Sequence, residues 1–251
     1  MTQVEKAQIF KGLHKKGDPV VLYNIWDAGG AQALAKEGAK AIATGSWSVA
    51  AAQGYPDGEM LPMDLLLCIA ERIVASTELP VTIDFEGGYA VDPEPLAENI
   101  RQLIETGAVG LNFEDRIVQG EGLYPLEQQA KRIAAIRAQA DAQAVPFFIN
   151  ARTDLFLREN PEDHAAQIEE ALERASAYKE AGADGFFVPG LTEPDLIAQI
   201  VEGTDLPANV MMRGIPTVQS VAELGVARAS YGPIPYFDAL GDLTTRYRTI
   251  T

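Results

Sequence analysis

Short runs rich in Val, Ile and Phe alternate along the chain with longer stretches whose apolar residues recur at helical spacing, and most transitions carry Gly, Pro, Asp or Asn. The runs read as strands: VVLYNIWD from Val20, AIATGS from Ala41, VTIDFE from Val81, GLNFED from Gly110, FFINART from Phe147, GFFVPG from Gly185, NVMMRG from Asn209 and ARASYG from Ala227. Each precedes a helical stretch. GGAQALAKEGAK closes on Gly38 and EPLAENIRQLIETGA on Gly107, where glycine supplies the left-handed turn that ends a helix. Asn160-Pro161-Glu162-Asp163 reads as an N-cap, a proline at the first helical position and an acidic first turn, which predicts one long helix through Gly182. Its core face falls on Ala165, Ile168, Leu172, Ala175 and Tyr178.

Eight strand-helix units after a leading helix are what a closed (β/α)8 TIM barrel requires, so residues 1–251 are expected to form a single barrel domain. An open doubly wound sheet uses similar units, but no Gly-x-Gly-x-x-Gly follows the first strand. No repeat is visible at the level of sequence.

Acidic residues outnumber basic ones 36 to 20, a formal net charge of -16. Such a surface repels phosphate backbones and anionic lipid, which argues against nucleic-acid and membrane partners. An anionic substrate must then enter a locally positive or metal-loaded site. The single cysteine, Cys68, allows no internal disulfide and no thiolate cluster. The stretch MTQVEKAQIFKGLHKKG mixes charged with apolar residues, unlike a signal peptide, and predicts a cytosolic protein.

The barrel gives the strand ends a meaning. Residues two apart on a strand share a face, so Asp84 and Glu86, Asn112 and Glu114, and Asn150 and Arg152 are expected to converge with Thr44 and Ser46 on the carboxyl-end mouth, where barrel enzymes keep their chemistry. Asp57, in the loop after the second strand, adds a further acid. Carboxylates so gathered repel each other unless a cation joins them. An oxygen donor set without histidine or cysteine suits Mg2+, with Mn2+ as the alternative. The plainer reading has these acids capping helices or pairing with basic residues at the rim. Arg152 offers a fork matched to a carboxylate or phosphonate, and Thr44-Gly45-Ser46 a small anion nest, with Arg152 as a mere counter-ion for Glu114 or Asp84 the alternative. Metal plus arginine suits a 2-oxo carboxylate, whose enolate the metal would stabilise.

From about Val20 to Gly232 the chain resembles the isocitrate lyase and phosphoenolpyruvate mutase superfamily, on the segments NIWDAGGAQALAKEGAKAIATGS, AAAQGYPDGE, VTIDFEGGYA, GLNFED, INARTD and LGVARASYGP. The resemblance implies a metal-dependent barrel, usually a tetramer that exchanges its last helix, acting on pyruvate-like 2-oxo acids or their adducts. It places Asp84 as the direct metal ligand, Asp57, Glu86 and Glu114 on the metal through water, and Thr44, Gly45, Ser46 and Arg152 on the substrate's carboxylate and oxo end; with Arg152, Asp57 and Glu114 are the expected catalytic residues.

The departures are informative. The loop after the fourth strand, RIVQGEGLYP, lacks the Lys-x-Cys-Gly-His stretch of the enzymes that cleave isocitrate or methylisocitrate, and lacks the longer Lys-bearing loop of the mutase and phosphonopyruvate-hydrolase branch. A mutase histidine on the sixth strand gives way to the Val188-Pro189 region. What remains predicts a Mg2+-dependent lyase on a small 2-oxo or 2-hydroxy dicarboxylate, most simply by oxaloacetate-type decarboxylation. The alternatives are carbon-phosphorus chemistry and an inactive oxo-acid binding module. Tyr23, Tyr55, Tyr89 and Tyr124 are candidate proton carriers, and Arg213 is a second candidate anchor. Trp47 either closes over the substrate or packs beneath the loop, and GEGLYP is a flap or a plain turn. His14 and His164 read as solvated or packing histidines and Cys68 as a buried structural thiol.

Overall fold

Strands enclosed by a helical layer on one side and a packed interior on the other are buried on both faces, which is why their sequences run apolar without alternating. The computed structural model describes residues 1–250. Helix α1 (Gln3–Leu13) leads to β1 (Val20–Leu22), α2 (Ala28–Lys36) and β2 (Ile42–Ala43), and α3 (Ser46–Ala52) and α4 (Met63–Ala75) precede β3 (Val81–Asp84). Then come α5 (Pro93–Glu105), β4 (Gly110–Glu114), α6 (Leu126–Ala142), β5 (Phe148–Arg152), α7 (Leu155–Arg158), α8 (Ile168–Glu180) and β6 (Gly185–Phe187). The chain continues through α9 (Pro194–Gly203), β7 (Ala208–Met211), α10 (Val218–Glu223), β8 (Arg228–Ser230) and α11 (Ile234–Ile250).

All eight strands are parallel and pair in the order β1-β8-β7-β6-β5-β4-β3-β2. A bridge between Ile25 and Thr44 closes the remaining seam: the Ile25 N–H donates to Ala43 at 2.9 Å and the Gly45 N–H to Ile25 at 3.4 Å. The fold is therefore the (β/α)8 TIM barrel expected, with each strand inside its predicted run except β7, which begins one residue earlier, at Ala208. Helix α1 covers the amino-end face, with Ala7 and Phe10 fully buried. No helix among the described residues is long and apolar enough to cross a membrane.

The helix expected from Asn160 is broken in two. Residues Pro161–Gln167 form a 3-10 turn and α8 begins at Ile168, because the Asn160 side chain makes no capping bond and the tighter winding turns His164 into the core against Phe156. Ala165 consequently lies exposed. Cys68 is exposed rather than buried. Helix α4 buries Leu66, Ala70 and Ile73, and Cys68 lies about 200° around the helix from Leu66. His14 packs rather than being solvated: its ring stacks on Phe148 at 4.0 Å and its Nδ1 lies 2.9 Å from the Phe10 carbonyl. Burial, reinforced by the Arg228 charge, depresses its pKa to about 3, so the imidazole is neutral.

One buried amide fastens the seam. Asn24 Nδ2 donates to the Thr44 carbonyl at 2.7 Å, while its Oδ1 accepts from the backbone N–H groups of Tyr231 at 2.9 Å and Gly232 at 2.8 Å. It thereby ties the ends of β1, β2 and β8 where no ladder joins the first two strands. Asn24→Ala is expected to lower unfolding free energy by about 2–4 kcal/mol in urea titration, because the freed backbone groups stay buried. A loss under about 0.5 kcal/mol would assign closure to the Ile25–Thr44 bridge alone.

Candidate active site

The carboxylate that ends β3 is oriented before any ligand arrives. The Ser46 N–H, at the start of α3, donates to Asp84 Oδ2 at 3.0 Å, and the Asp84 N–H donates to Thr44 Oγ1 at 2.9 Å. Asp84 Oδ1 is buried and has no hydrogen-bond partner. The supposed anion nest at Thr44-Gly45-Ser46 is thus largely spent on Asp84, and Thr44 does not line the cavity at the mouth.

Glu86 reaches the same neighbourhood by a different route from the strand pleat the sequence suggested. The strand ends at Asp84, and Glu86 sits in a turn at φ 50°, buried, its Oε2 accepting the Glu59 N–H at 2.8 Å. Glu59, which sequence reasoning passed over, returns the arrangement: its Oε1 accepts the Tyr89 N–H at 2.8 Å. Arg132 staples the turn from α6, donating to the Gly87 carbonyl at 2.5 Å and the Ala90 carbonyl at 2.9 Å, with its guanidinium over the Tyr124 ring at 4.2 Å. A Cβ on Gly87 would meet Val118 at 2.8 Å, so this glycine admits the loop after β4 rather than a substrate. Burial first, then the charges of Asp57 and Asp84, push the Glu86 pKa up to about 8.

Glu114 is also buried and its pKa is raised by burial, against the opposing pull of Arg152. Arg152 Nη1 lies 3.1 Å from Glu114 Oε2, while Nε and Nη2 grip Asp154 at 2.5 and 3.0 Å. The counter-ion reading of Arg152 is therefore correct as far as it goes. Of its five N–H groups, three face these acids, which leaves one on each terminal nitrogen. Burial disfavours its charge, but Asp154, Glu114 and Asp84 outweigh that and raise its pKa. Asp154 was legible in INARTD but not singled out. Behind it, Asp115 accepts from the Asp154 N–H at 3.0 Å and the Tyr178 hydroxyl at 2.8 Å, bracing the loop.

These elements surround a cavity of about 200 Å³ at the carboxyl end of the barrel, lined on one side by Gly45, Ser46, Trp47, Asp57, Asp84, Asn112 and Arg152. The opposite wall is largely apolar, with Leu157, Phe187, Pro189, Met211 and Pro233, and Arg213 also reaches it. Glu86 and Glu114 stand behind this lining rather than in it. Asp57 is exposed at the rim, its pKa raised by loss of hydration and by Asp84. Trp47 both lines the cavity and packs on Phe237, with ring centroids 4.5 Å apart. None of Tyr23, Tyr55, Tyr89 and Tyr124 lines it. The loop after β4 is a folded turn, held by an Arg116–Leu123 bridge and an Ile117 N–H to Gly122 carbonyl bond of 3.1 Å.

Among the described residues, no three Asp, Glu, His or Cys side chains form a set that would ligate one ion unaided. The orphaned Asp84 Oδ1 nonetheless fits a Mg2+ ion that takes one or two direct carboxylates and keeps its remaining ligands as water. Glu86 and Glu114, set back from the cavity, have the position for holding such waters.

Comparison with known proteins agrees with this geometry. The family model of phosphoenolpyruvate phosphomutase matches residues 10–251. A crystal structure from Burkholderia cenocepacia J2315, provisionally described as a phosphonomutase, superposes with a TM-score of 0.96 at 46% identity, covering 99% of this chain and 100% of that one. The Escherichia coli 2-methylisocitrate lyase is 30% identical over 93% of this chain and 80% of its own. An uncharacterised Mycobacterium tuberculosis protein is 35% identical over 90% of this chain and 83% of its own. The chain belongs to the phosphoenolpyruvate phosphomutase family, within the isocitrate lyase and phosphoenolpyruvate mutase superfamily.

Proposed function

We propose that the protein is a Mg2+-dependent lyase acting on a small 2-oxo or 2-hydroxy dicarboxylate, with decarboxylation of a 3-carboxylated 2-oxo acid such as oxaloacetate as its simplest reaction. The observation that carries this reading is the mouth cavity, which joins an oriented carboxylate with a free oxygen, Asp84, to a guanidinium with unspent donors, Arg152. Bound there, the ion would supply Lewis-acid polarisation of the substrate's oxo group. Asp84 would hold it directly, and Asp57, Glu86 and Glu114 through water. Arg152 and the Ser46–Trp47 edge bind and orient the substrate's carboxylate end. The apolar wall keeps water from the carboxylate that departs as neutral carbon dioxide.

This chemistry matches what the cavity lacks. Among the described residues no cysteine, histidine, lysine or tyrosine lines it, and these are the usual acids for protonating an alkoxide or amine leaving group; Asp57, at the rim, is the one carboxyl of raised pKa in the lining. Loss of carbon dioxide needs no such acid. Methylisocitrate-type cleavage, the activity of the E. coli relative by name, is disfavoured on the same ground. The family model's description supports a second reading, carbon-phosphorus chemistry on phosphonopyruvate. A pocket that binds oxo acids without turnover is the third.

Turnover of oxaloacetate, 2-hydroxy dicarboxylates and phosphonopyruvate, each with and without Mg2+, separates these readings. Turnover of oxaloacetate that needs the metal and falls by about a thousandfold or more in Asp84→Ala is the expected result. Turnover of phosphonopyruvate alone moves the protein to the second reading. Metal-dependent binding of oxalate with no turnover of any compound moves it to the third.

The raised Glu86 pKa makes a separate prediction. Between the unfolded value near 4.5 and the folded value of about 8, the native metal-free protein holds a proton that the unfolded chain has released. Stability is therefore fully supported below about pH 4.5 and lost as pH rises through 8, at no more than about 1.4 kcal/mol per pH unit from this group. Urea unfolding of the metal-free protein should show this slope, and Glu86→Gln should flatten it. An unchanged slope would place the titration elsewhere.

Helix α11 leaves Phe237, Leu240, Leu243 and Ile250 exposed, the last two at 62% and 81%. A helix showing this much apolar surface fits packing against another copy of the chain, as the superfamily resemblance implies. Leu243→Asp should lower the mass measured by light scattering if the protein assembles through α11. An unchanged mass would exclude α11 as the contact.

A further inference from the structure

Among the described residues, one buried cation beneath the cavity has no counter-ion in contact with it. Arg228, on β8, is 0% exposed, and its guanidinium meets no carboxylate. Its Nη2 donates to Asn112 Oδ1 at 3.0 Å, its Nε donates to Ser230 Oγ at 3.1 Å, and its Nη1 is buried without a partner. The Ser230 hydroxyl in turn donates to Asn209 Oδ1 at 3.1 Å. Burial draws the Arg228 pKa down to about 9, against the pull of Asp84, so it stays charged at neutral pH. A bare buried charge is costly, and hydrogen bonds to neutral groups compensate it only in part.

Asn112 shows where that charge acts. Its Oδ1 accepts twice, from Arg228 Nη2 and from Asn150 Nδ2 at 2.8 Å. A guanidinium only donates, so the atom facing Arg228 must be the amide oxygen, and chemistry dictates the orientation of the amide. Asn112 Nδ2 is then turned away from Arg228. The side-chain hydrogen bonds of Asn112 among the described residues all go to Oδ1, which leaves Nδ2 free on a residue lining the cavity beside Asp84 and Arg152.

We propose that Asn112 donates from Nδ2 to an anionic oxygen of the substrate in this cavity, and that Arg228 is the positioning residue that holds the amide in its donating orientation. This deepens the oxo-acid reading above and rests on it. A fixed donor at the place where charge develops on the substrate oxygen stabilises that charge without reorganising, and the Arg228 charge beneath it polarises the amide further. Arg228 also balances the acids above it, so that a dianion can enter a mouth otherwise crowded with carboxylates.

Oxalate, a planar dianion shaped like a pyruvate enolate, is the probe. Its affinity for the full chain in saturating Mg2+ is measured by calorimetry for wild type, Asn112→Asp, Arg228→Met and Arg228→Lys, each with its melting temperature. Asn112→Asp keeps the acceptor toward Arg228 and Asn150, so the fold stands, but replaces the donor with an acceptor. A loss of oxalate affinity of about tenfold or more, with the melting temperature unchanged or raised, is expected. Arg228→Lys, which preserves charge and a donor, should retain more of the affinity than Arg228→Met. Wild-type affinity in Asn112→Asp overturns the proposal, and a role for Arg228 in packing alone would leave Asn112→Asp unaffected. A wild-type protein that binds no oxalate overturns the oxo-acid reading and this inference with it.

Discussion

Carboxylates withdrawn from water at one barrel mouth set the conformation of everything around them. Glu86, Glu114 and Asp115 are buried and have their pKa values raised, with burial the leading cause in each. Such groups persist only where something donates to them, and here most of the donors are backbone amides of the loops. Ser46 donates to Asp84, Glu59 to Glu86, Tyr89 to Glu59 and Asp154 to Asp115. Three of the participating residues, Glu59, Glu86 and Tyr89, have positive φ of 58°, 50° and 58°. Left-handed backbone at non-glycine residues is costly and is held only by surroundings that over-determine it. The acids bend the loops that then present them.

That dependence explains what could be read from the sequence and what could not. All eight strands were legible, because burial on both faces writes a continuous apolar run that needs no partner to interpret. The polar pairs at strand ends were legible where the strand continues, as in Asn112 and Glu114 or Asn150 and Arg152, since the pleat fixes their common face. The same rule misdescribed Asp84 and Glu86: the strand stops at the first of them, and a left-handed turn delivers the second. Glu59 was illegible for the reason that makes it useful. Its role is defined by a contact with Tyr89, 30 residues away, and no local pattern announces it. Cys68 was misplaced because an apolar stretch such as MDLLLCIAERI does not reveal which of its residues turn inward.

Arg228 belongs to a different class of omission. Arg228 and Ser230 are a polar pair two apart on β8, the signal that drew attention to the fourth and fifth strands. An arginine in an apolar strand reads first as an outward-facing residue at the barrel's rim, whereas the pairing of Arg228 with Asn209 on β7 places it in the interior layer beside Asn112 and Asn150. The interior of this barrel is therefore not only a packed core. Just under the mouth it holds a polar layer whose hydrogen bonds run from Asn150 and Arg228 into Asn112, and from Arg228 through Ser230 to Asn209.

Arg152 in the cavity wall and Arg228 beneath it are asymmetric, and the asymmetry bears on the chemistry proposed for the mouth. Arg152 is gripped by Asp154 and Glu114, so its charge is largely answered within the protein and its remaining value lies in the geometry of its free N–H groups. Among the described residues Arg228 is answered by no contacting carboxylate, only by the more distant charge of Asp84, so on the proposal above its charge acts on the occupant of the cavity. A neutral substrate would leave that charge uncompensated through the whole reaction, whereas a substrate that arrives anionic and gathers further charge on one oxygen meets it at both stages. The arrangement thus favours reactions that pass through an enolate-like anion over those that need a proton delivered to a departing group. It is also consistent with a cavity wall that, among the described residues, carries no cysteine, histidine, lysine or tyrosine.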